Sequence, residues 1–502
     1  MKKIAAILMY AVALSAAVAQ TNTPAERPMS LQDCFAAALQ NNFDVRVERF
    51  NPEIAALNLS AAYGGYDPQL SLGGGHSGTQ EQLAPDNRAI TDENSFSAGL
   101  SGAMPWGMTY NLGGYDMGHP ASISESYGHS GFGTNFTSFD YSSGTVGLNL
   151  TQPLLKNFWI DANRLQIRVA KNQLKFSEQG LRLQLISTIT AVENAYYELI
   201  YARENVKVQE QALELAQKQL SDDKARVEIG TVAEAGGALE QDEALVAQSR
   251  ASLIAARYAL ATDENTLKNL ITDKYAQWHD ASIKPTADLA AMRQMFDVQD
   301  SWSKGLSQRP DLLQARLNLE RQGIQLKYYY NQLFPELDVV GSFGFNGSGT
   351  EFSDTFHQIG DGSSRFYSIG GQLSIPLSST KARNDLKAGK ATEKQLLLKL
   401  KQLEQNVMVE IDNAVKQAQS AWESVDATQK SRLYAEAALK AEQGKYAAGK
   451  STTFTVLQLQ KNLTSARSDE IRALANYNEA LATLAAAEGS TLQRRNLDVV
   501  AK

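Results

Sequence analysis

Between Leu386 and Gln443 the chain runs without a proline, and Ile411, Val415, Ala418, Trp422 and Val425 recur at alternating steps of four and three. That spacing holds one apolar stripe on one side of a helix, the seam of a coiled coil. Beyond Tyr446-Ala447-Ala448-Gly449-Lys450-Ser451-Thr452 the spacing returns in Leu474, Tyr477, Leu481 and Leu484, so two seams face each other across Gly449. Tyr446 to Gly489 is therefore the turn and return arm of a long helical hairpin. At about 1.5 Å per residue, arms of roughly 40 to 60 residues reach on the order of 60 to 90 Å. An ordinary globular domain does not accommodate that length.

Sliding the sequence against itself places Gly230 on Gly449, with Val192-Glu193-Asn194-Ala195 on Ile411-Asp412-Asn413-Ala414. The first copy has its own seams: Ile189, Val192, Tyr196, Leu199 and Val206, then Leu253, Ala256, Leu260, Leu267 and Leu270. A larger offset places Asp44 on Asp311 and Pro68-Gln69-Leu70 on Pro335-Glu336-Leu337. Between these anchors the first copy is longer by roughly 44 residues, inserted between Pro68 and Gln152-Pro153. The chain reads as a tandem duplication of helix, strands and helical hairpin. Its expected divisions are a signal at 1–19, a first repeat at 20–280, an inter-repeat equatorial segment at 281–300, a second repeat at 301–489 and a tail at 490–502.

Lys2-Lys3, the apolar run Ile4 to Leu14, and Ala17-Val18-Ala19 have the order of a secretory signal, with cleavage expected after Ala19. The run is short for a membrane span of about 20 residues, and no other stretch is long and apolar enough for a transmembrane helix. Leu31-Gln32-Asp33-Cys34 has the outline of a lipid-attachment box, but it lies well past the apolar run and places Asp before the cysteine. Cys34, the single cysteine, reads instead as a buried apolar residue on the first helix. A net charge of -7 argues against nucleic acid as a partner. The five histidines show no metal-ligand spacing. With no nucleophile motif and no phosphate loop, neither catalysis nor a cofactor is expected. Asp222-Asp223 read as solvated acids on a helix surface, and Glu234, Glu240, Asp242 and Glu243 as a solvated charged face or as acids that bias an entrance electrostatically.

From Pro68 the period changes to two. Val146, Leu148 and Leu150 alternate with Thr145, Gly147, Asn149 and Thr151; Leu337, Val339, Phe343 and Phe345 alternate with Asp338, Ser342, Gly344 and Asn346; and Tyr367, Ile369, Leu373 and Ile375 do the same. A membrane β-barrel strand requires such alternation, although a soluble sandwich shows it too. Phe96 to Met104 and Met108 to Asp116 are further candidates, joined by the tight Pro105-Trp106-Gly107, while His76 to Asn94 and Met117 to Ser143 read as long polar loops. Four strands are expected in the first copy and two in the second, fewer than the about eight of the smallest closed barrels. One chain cannot close such a wall, so strands must come from several protomers. Tyr110, Tyr115, Phe132, Phe136, Tyr141, Phe366 and Tyr367 are candidates for an aromatic girdle or for ordinary packing.

A family resemblance is carried by Arg309-Pro310-Asp311-Leu312 with Pro335-Glu336-Leu337, by Thr151-Gln152-Pro153-Leu154-Leu155, and by the run from Tyr446 to Gln458. Glu470-Ile471-Arg472-Ala473-Leu474 and its continuation to Leu481 add to it. In order and duplication these stretches resemble the outer membrane efflux protein family, the TolC-like trimeric channels, over nearly all of the mature chain. The resemblance implies a mixed α/β membrane protein: a homotrimer whose β-barrel in the outer membrane is continued by a long α-helical coiled-coil tunnel in the periplasm. It implies that the hairpin tips form the periplasmic entrance and dock a periplasmic adaptor (membrane fusion) protein, which joins the channel to an inner-membrane pump. By position, Gly230-Thr231-Val232 and Gly449-Lys450-Ser451 are the tip turns, and Tyr446, Thr455 and Gln458 mark the entrance constriction. Better-known members place acids where Thr455 and Gln458 stand, so a neutral ring without cation blockade is expected here. At the first tip Gly236 and Gly237 each lower helix propensity by roughly 1 kcal/mol. They make this tip the softer one, where opening begins, or serve only to let helices approach closely. The inserted hairpin implies a wider barrel of about eighteen strands, or a ribbon folded outside one of about twelve.

Two function classes remain open. One is a passive exit duct of a tripartite efflux pump or type I secretion system. The other is a non-conducting envelope spacer or adhesin built on coiled coils. Tyr446 and Ser451 are read either as gate residues or as packing at a helix end.

Overall fold

The computed structural model describes residues 26–84, 87–113, 121–132, 135–228 and 238–497. The expected signal at 1–19 lies outside them. In chain order the elements are β1 Glu26–Met29, α1 Leu31–Asn41, α2 Phe43–Tyr63, β2 Gln69–Ala84, β3 Asn87–Ala103, β4 Thr109–Leu112, β5 Ala121–Phe132 and β6 Asn135–Pro153. There follow α3 Ala162–Glu228, α4 Ala238–Ile271, α5 Tyr275–Trp278, β7 Ser282–Pro285, α6 Val298–Gln308, α7 Pro310–Asn331, β8 Glu336–Gly349 and α8 Phe352–Asp361. The last are β9 Arg365–Ser374, α9 Thr380–Ala447, α10 Thr453–Ala487 and α11 Thr491–Arg494. The chain divides into a unit of residues 1–49, 181–310 and 405–502 and a unit of residues 50–180 and 311–404. Among the described residues no helix is long and apolar enough to cross a membrane.

The first unit is helical and rests on the expected seams. Ile189, Val192, Tyr196 and Leu199 are fully buried on α3, as are Ile411, Val415 and Ala418 on α9. The hairpin arms are unequal. Helices α3 and α9 have 67 and 68 residues, whereas the return helices α4 and α10 have 34 and 35. Tyr196 donates its hydroxyl to the Met29 carbonyl (3.1 Å), tying α3 to the end of β1, which pairs in parallel with β7. Ser30 and Asp33 form a reciprocal capping box that starts α1. Cys34 is fully buried in this core, as its apolar reading requires, and burial beside the Asp33 carboxylate pushes its thiol up to about 12. At the far end of α10, Arg309 donates to the Ala487 carbonyl (3.3 Å) and bridges Glu410 (2.5 Å). The buried Glu488 accepts from Ser301 (2.6 Å), Ser490 (2.9 Å) and Arg494 (2.7 Å).

The second unit is built on one sheet of order β2-β3-β4-β6-β8-β9, with β5 also lying between β3 and β6. Strands β4 and β5 share one position, because β3 pairs first with β4 and then with β5, and β6 does the same from the other side. The register sorts the side chains by face. One row across all six positions reads Leu70, Leu100, Leu112, Leu148, Phe343, Tyr367; the next, on the opposite face, reads Gln69, Ser101, Asn111, Asn149, Ser342, Ser368. Alternations found separately along each strand thus coincide in a single apolar face. From Leu337 to Phe345 this face extends about 27 Å along β8, at about 3.4 Å per residue, close to the roughly 25 Å apolar band of outer-membrane barrels.

Three expectations are corrected here. His76 to Asn94 is not a polar loop, since β2 and β3 run through it and leave only residues 85 and 86 between them. Much of Met117 to Ser143 is likewise the β5-β6 ladder. Apolar residues are sparse in these stretches and do not keep a period of two. Backbone hydrogen bonds hold their ladders without any apolar period to announce them. The strand expected over Met108 to Asp116 shortens to β4. Of the aromatic candidates, Tyr110 and Tyr367 lie on the apolar face, but Tyr141 and Phe366 lie on the other one, where Phe366 sits over Gly147 and Gly344. Tyr115 lies outside the described residues. Helix α8 packs on the apolar face near the end of β8: Thr355 donates to Ser142 (2.8 Å), both fully buried, and the Phe352 ring meets that of Phe96.

Candidate functional site

The turn between α9 and α10 is determined by one residue. Gly449 has φ of +69°, a left-handed conformation that side chains disfavour. Its neighbours close a Schellman motif, with the Lys450 N–H donating to the Lys445 carbonyl (2.9 Å) and the Gly449 N–H to that of Tyr446 (3.0 Å). Thr452 then caps α10, its hydroxyl accepting from the Thr455 N–H (3.4 Å). The Ser451 hydroxyl donates to Glu442 (2.5 Å), which also pairs with Lys445 (2.8 Å). Lys445 and then Ser451 hold the Glu442 carboxyl below the usual range. Lys450 itself is exposed.

Tyr446 and Ser451 take different roles. Ser451 braces its own hairpin, whereas the Tyr446 hydroxyl reaches the other hairpin and donates to Asp223 on α3 (2.6 Å). The second Asp223 oxygen accepts from Thr453 at the start of α10 (3.0 Å) and from Gln219 (3.0 Å). Asp242, near the start of α4, lies close enough to feel the Asp223 charge, and neither of its oxygens has a hydrogen-bond partner among the described residues. Both aspartates are fully buried. Burial, and then the Asp223 charge, raise the Asp242 carboxyl to about 7.

This cluster corrects the reading of Asp223 and Asp242 as solvated surface acids. A signal for it was available. Counting back from Leu253 by steps of four and three gives Ser249, Val246 and Asp242, and counting forward from Val206 gives Leu213, Leu220 and Asp223. Each aspartate occupies a seam position, where a polar residue sets register at a cost in stability. Glu240 and Glu243 are exposed as expected. Glu234, Gly236, Gly237 and the first tip turn Gly230-Thr231-Val232 lie outside the described residues.

Thr455 and Gln458 stand apart from the aspartates. The Thr455 hydroxyl is hydrogen-bonded to that of Thr452 (3.0 Å), and Gln458 is exposed, donating to Asn462 (3.1 Å). The structure brings Tyr446, Ser451 and Thr455 to one turn and adds Asp223, Asp242 and Thr453, which sequence reasoning did not select.

Comparison with known proteins agrees with this architecture. The chain is 23% identical over 328 residues to the outer membrane efflux protein BepC of Brucella suis, covering 65% of this chain and 68% of that one. It is 22% identical over 364 residues to the outer membrane protein TolC of Vibrio cholerae, covering 68% and 77%. Among solved structures, the CmeC outer membrane channel of Campylobacter jejuni shares the fold with a TM-score of 0.65 at 18% identity, over 93% of this chain and 90% of that one. The model of the outer membrane efflux protein family matches residues 121–272 and 302–490. That match spans more than half of the chain, which therefore belongs to the outer membrane efflux protein family and is a protein of the outer membrane.

Proposed function

We propose that three copies of this chain assemble into the exit duct of a tripartite efflux pump or type I secretion system, conducting substrates passively and catalysing nothing. The observation that carries this reading is the pair of register rows, one apolar and the next polar across all six sheet positions. A wall between lipid and water needs that division. The sheet is open at β2 and β9, and an open edge in a membrane leaves backbone groups unpaired; pairing β9 of one copy with β2 of the next removes both edges. Because β3 and β4 lie between β2 and β6 in the ladder, the inserted strands favour the wider wall of about eighteen strands.

The helical hairpins form the tunnel in this reading. The turns Gly230-Thr231-Val232 and Gly449-Lys450-Ser451 dock a periplasmic adaptor, which connects to an inner-membrane pump, and Tyr446, Thr455 and Gln458 narrow the entrance. A tandem duplication of the chain is supported by the near-equal lengths of α3 and α9 and of α4 and α10. The test is single-channel conductance of the purified protein in planar bilayers, with oligomeric mass determined on the same preparation. A trimer with discrete conductance steps is expected. A monomer, or a trimer that never conducts at any voltage or salt, would return the chain to the role of a non-conducting spacer.

A further inference from the structure

We propose that α8 is an interfacial helix that sets the depth of the sheet in the outer leaflet, with Phe356 among the lipid acyl chains and an acidic flank in water. This rests on the reading of the apolar sheet face as the lipid-facing one. Along α8, Phe352, Phe356 and Ile359 recur at steps of four and three, and so do Asp354, Gln358 and Asp361. Ten residues thus carry an apolar stripe and a polar stripe side by side, the pattern of a helix that lies between an apolar phase and water.

The seat of the helix determines which stripe faces which way. On the apolar face of the sheet the row Gly74, Phe96, Gly144, Gly347 is followed, two residues nearer the end of β8, by His76, Asn94, Ser142, Gly349. The wall turns polar at this step, where His76 and Asn94 are joined side chain to side chain (2.9 Å). Helix α8 lies across it. A Cβ on Gly347 would meet the Thr355 carbonyl and one on Gly349 the Asp354 side chain, so these two glycines let the helix lie directly on the strand. The polar stripe lies on the side of the polar row: Asp354 accepts from the Thr350 hydroxyl (3.3 Å) and Gln358 from the Ser348 N–H (2.6 Å). The apolar stripe lies on the side of the apolar band, with the Phe352 ring edge-on to Phe96 (5.8 Å between centroids) and Ile359 over Gly347. Phe356, in the middle of that stripe, is 60% exposed. The polarity of the helix therefore changes in the same direction as the polarity of the wall beneath it.

Lipid is the occupant this arrangement fits. The helix crosses from β8 over β6 and β5 to Phe96 on β3, between the open edges at β2 and β9, whereas a neighbouring copy joins the sheet at an edge. The opposite boundary of the band is marked by the exposed rings of Trp106, Phe158 and Trp159, where the Trp159 N–H donates to the Trp106 carbonyl (3.5 Å); tryptophans concentrate at membrane–water interfaces. From Pro153, beside Gly107 of that turn, to Gly144, the partner of Gly347, β6 runs about 31 Å at about 3.4 Å per residue. Tilted by about 35–45°, it rises roughly 22–25 Å, the height of an outer-membrane apolar band. Two boundaries built from separate segments of the chain thus stand one band apart.

Nitroxide labels on single cysteines test this, in a Cys34→Ala background with the full chain in lipid vesicles. The readout is the ratio of collisions with oxygen, which partitions into acyl chains, to collisions with a water-soluble nickel chelate. Labels replace Phe356, Asp361 and, on the apolar face of β9, Tyr367, all exposed. Gly360, one turn from Phe356 and with open space where a Cβ would stand, takes the label should Phe356→Cys fail to assemble. The ratio at 356 is expected to match that at 367 and to exceed that at 361 several-fold. A low ratio at 356 beside a high one at 367 overturns the interfacial helix and leaves the wall reading intact. Low ratios at both remove the lipid-facing reading of the sheet, and the helix with it. A label at 356 shielded from both reagents means that a neighbouring copy covers the helix, and a ratio at 361 as high as at 356 means that the helix is submerged; either result overturns the proposal.

Discussion

Buried carboxyls that keep their protons make this chain's stability depend on pH in an unusual direction. Asp242 is raised to about 7 by burial and by Asp223, and Glu479 is raised to about 7 by burial and by Glu198. Unfolded carboxyls titrate near about 4, so between there and neutrality the folded chain binds more protons than the unfolded one. Stability therefore falls as pH rises through that window and levels off above it. Urea midpoints measured in detergent at pH 5, 6, 7 and 8 should decline in that order. The D242N variant should flatten part of the slope, leaving the share due to Glu479. At the same cluster, Tyr446→Phe strands one Asp223 oxygen and should cost roughly 1–3 kcal/mol, read as an earlier midpoint with an unchanged m-value. Gly449→Ala should also destabilise, through its left-handed φ, and Gly449→Asn less so. Gly449 was legible in the sequence because a turn between two seams requires such a residue. Asp223 and Asp242 were missed because an acid within a charged stretch looks solvated unless its place in the seam is counted first.

Elements were legible where side chains enforce a period and hidden where the backbone alone does the holding. The seams of α3 and α9 appear in the sequence residue by residue and are buried accordingly. The alternation in β6, β8 and β9 was equally plain, and their register aligns it in one face. What remained hidden was the part of β2, β3, β5 and β6 beyond the apolar rows, where apolar residues are too sparse to keep a period of two. The two faces of a strand make a sharp prediction. Leu148 lies on the apolar row and Asn149 on the polar one. Leu148→Arg should destabilise the protein in lipid vesicles by roughly 2–4 kcal/mol if the row lies near the bilayer midplane, measured by denaturant titration. Asn149→Arg should leave that midpoint nearly unchanged and shift the reversal potential toward anions. Equal costs for the two substitutions would mean that the sheet does not separate lipid from water.

At the scale of the whole molecule, the question left to the assembly is which strand closes the wall. Among the described strands, β9 is open on the side away from β8, and β2 on the side away from β3. If β9 pairs with β2 of the next copy and β3 and β4 stay between β2 and β6, three chains place about eighteen strands in the wall; if β2 instead pairs directly with β6, the inserted strands leave the wall and about twelve remain. The second arrangement would have to break the ladders of β4 and β5 with β6 and leave a polar ribbon with free edges, an expensive exchange where unpaired backbone meets lipid. Cysteines placed at Leu70 and Leu72 on β2, and at Tyr367 and Leu373 on β9, test the choice in a Cys34→Ala background. Oxidation should yield covalent trimers from at least one β2–β9 combination. A cross-link within one chain between cysteines at Leu70 on β2 and Leu148 on β6 would show that the wall closes without the insertion. Because barrel diameter grows with strand number, the wider closure also predicts that conductance is limited at the hairpin tips. Substitutions at Tyr446 should then change conductance far more than bulky residues placed on the polar rows of β8.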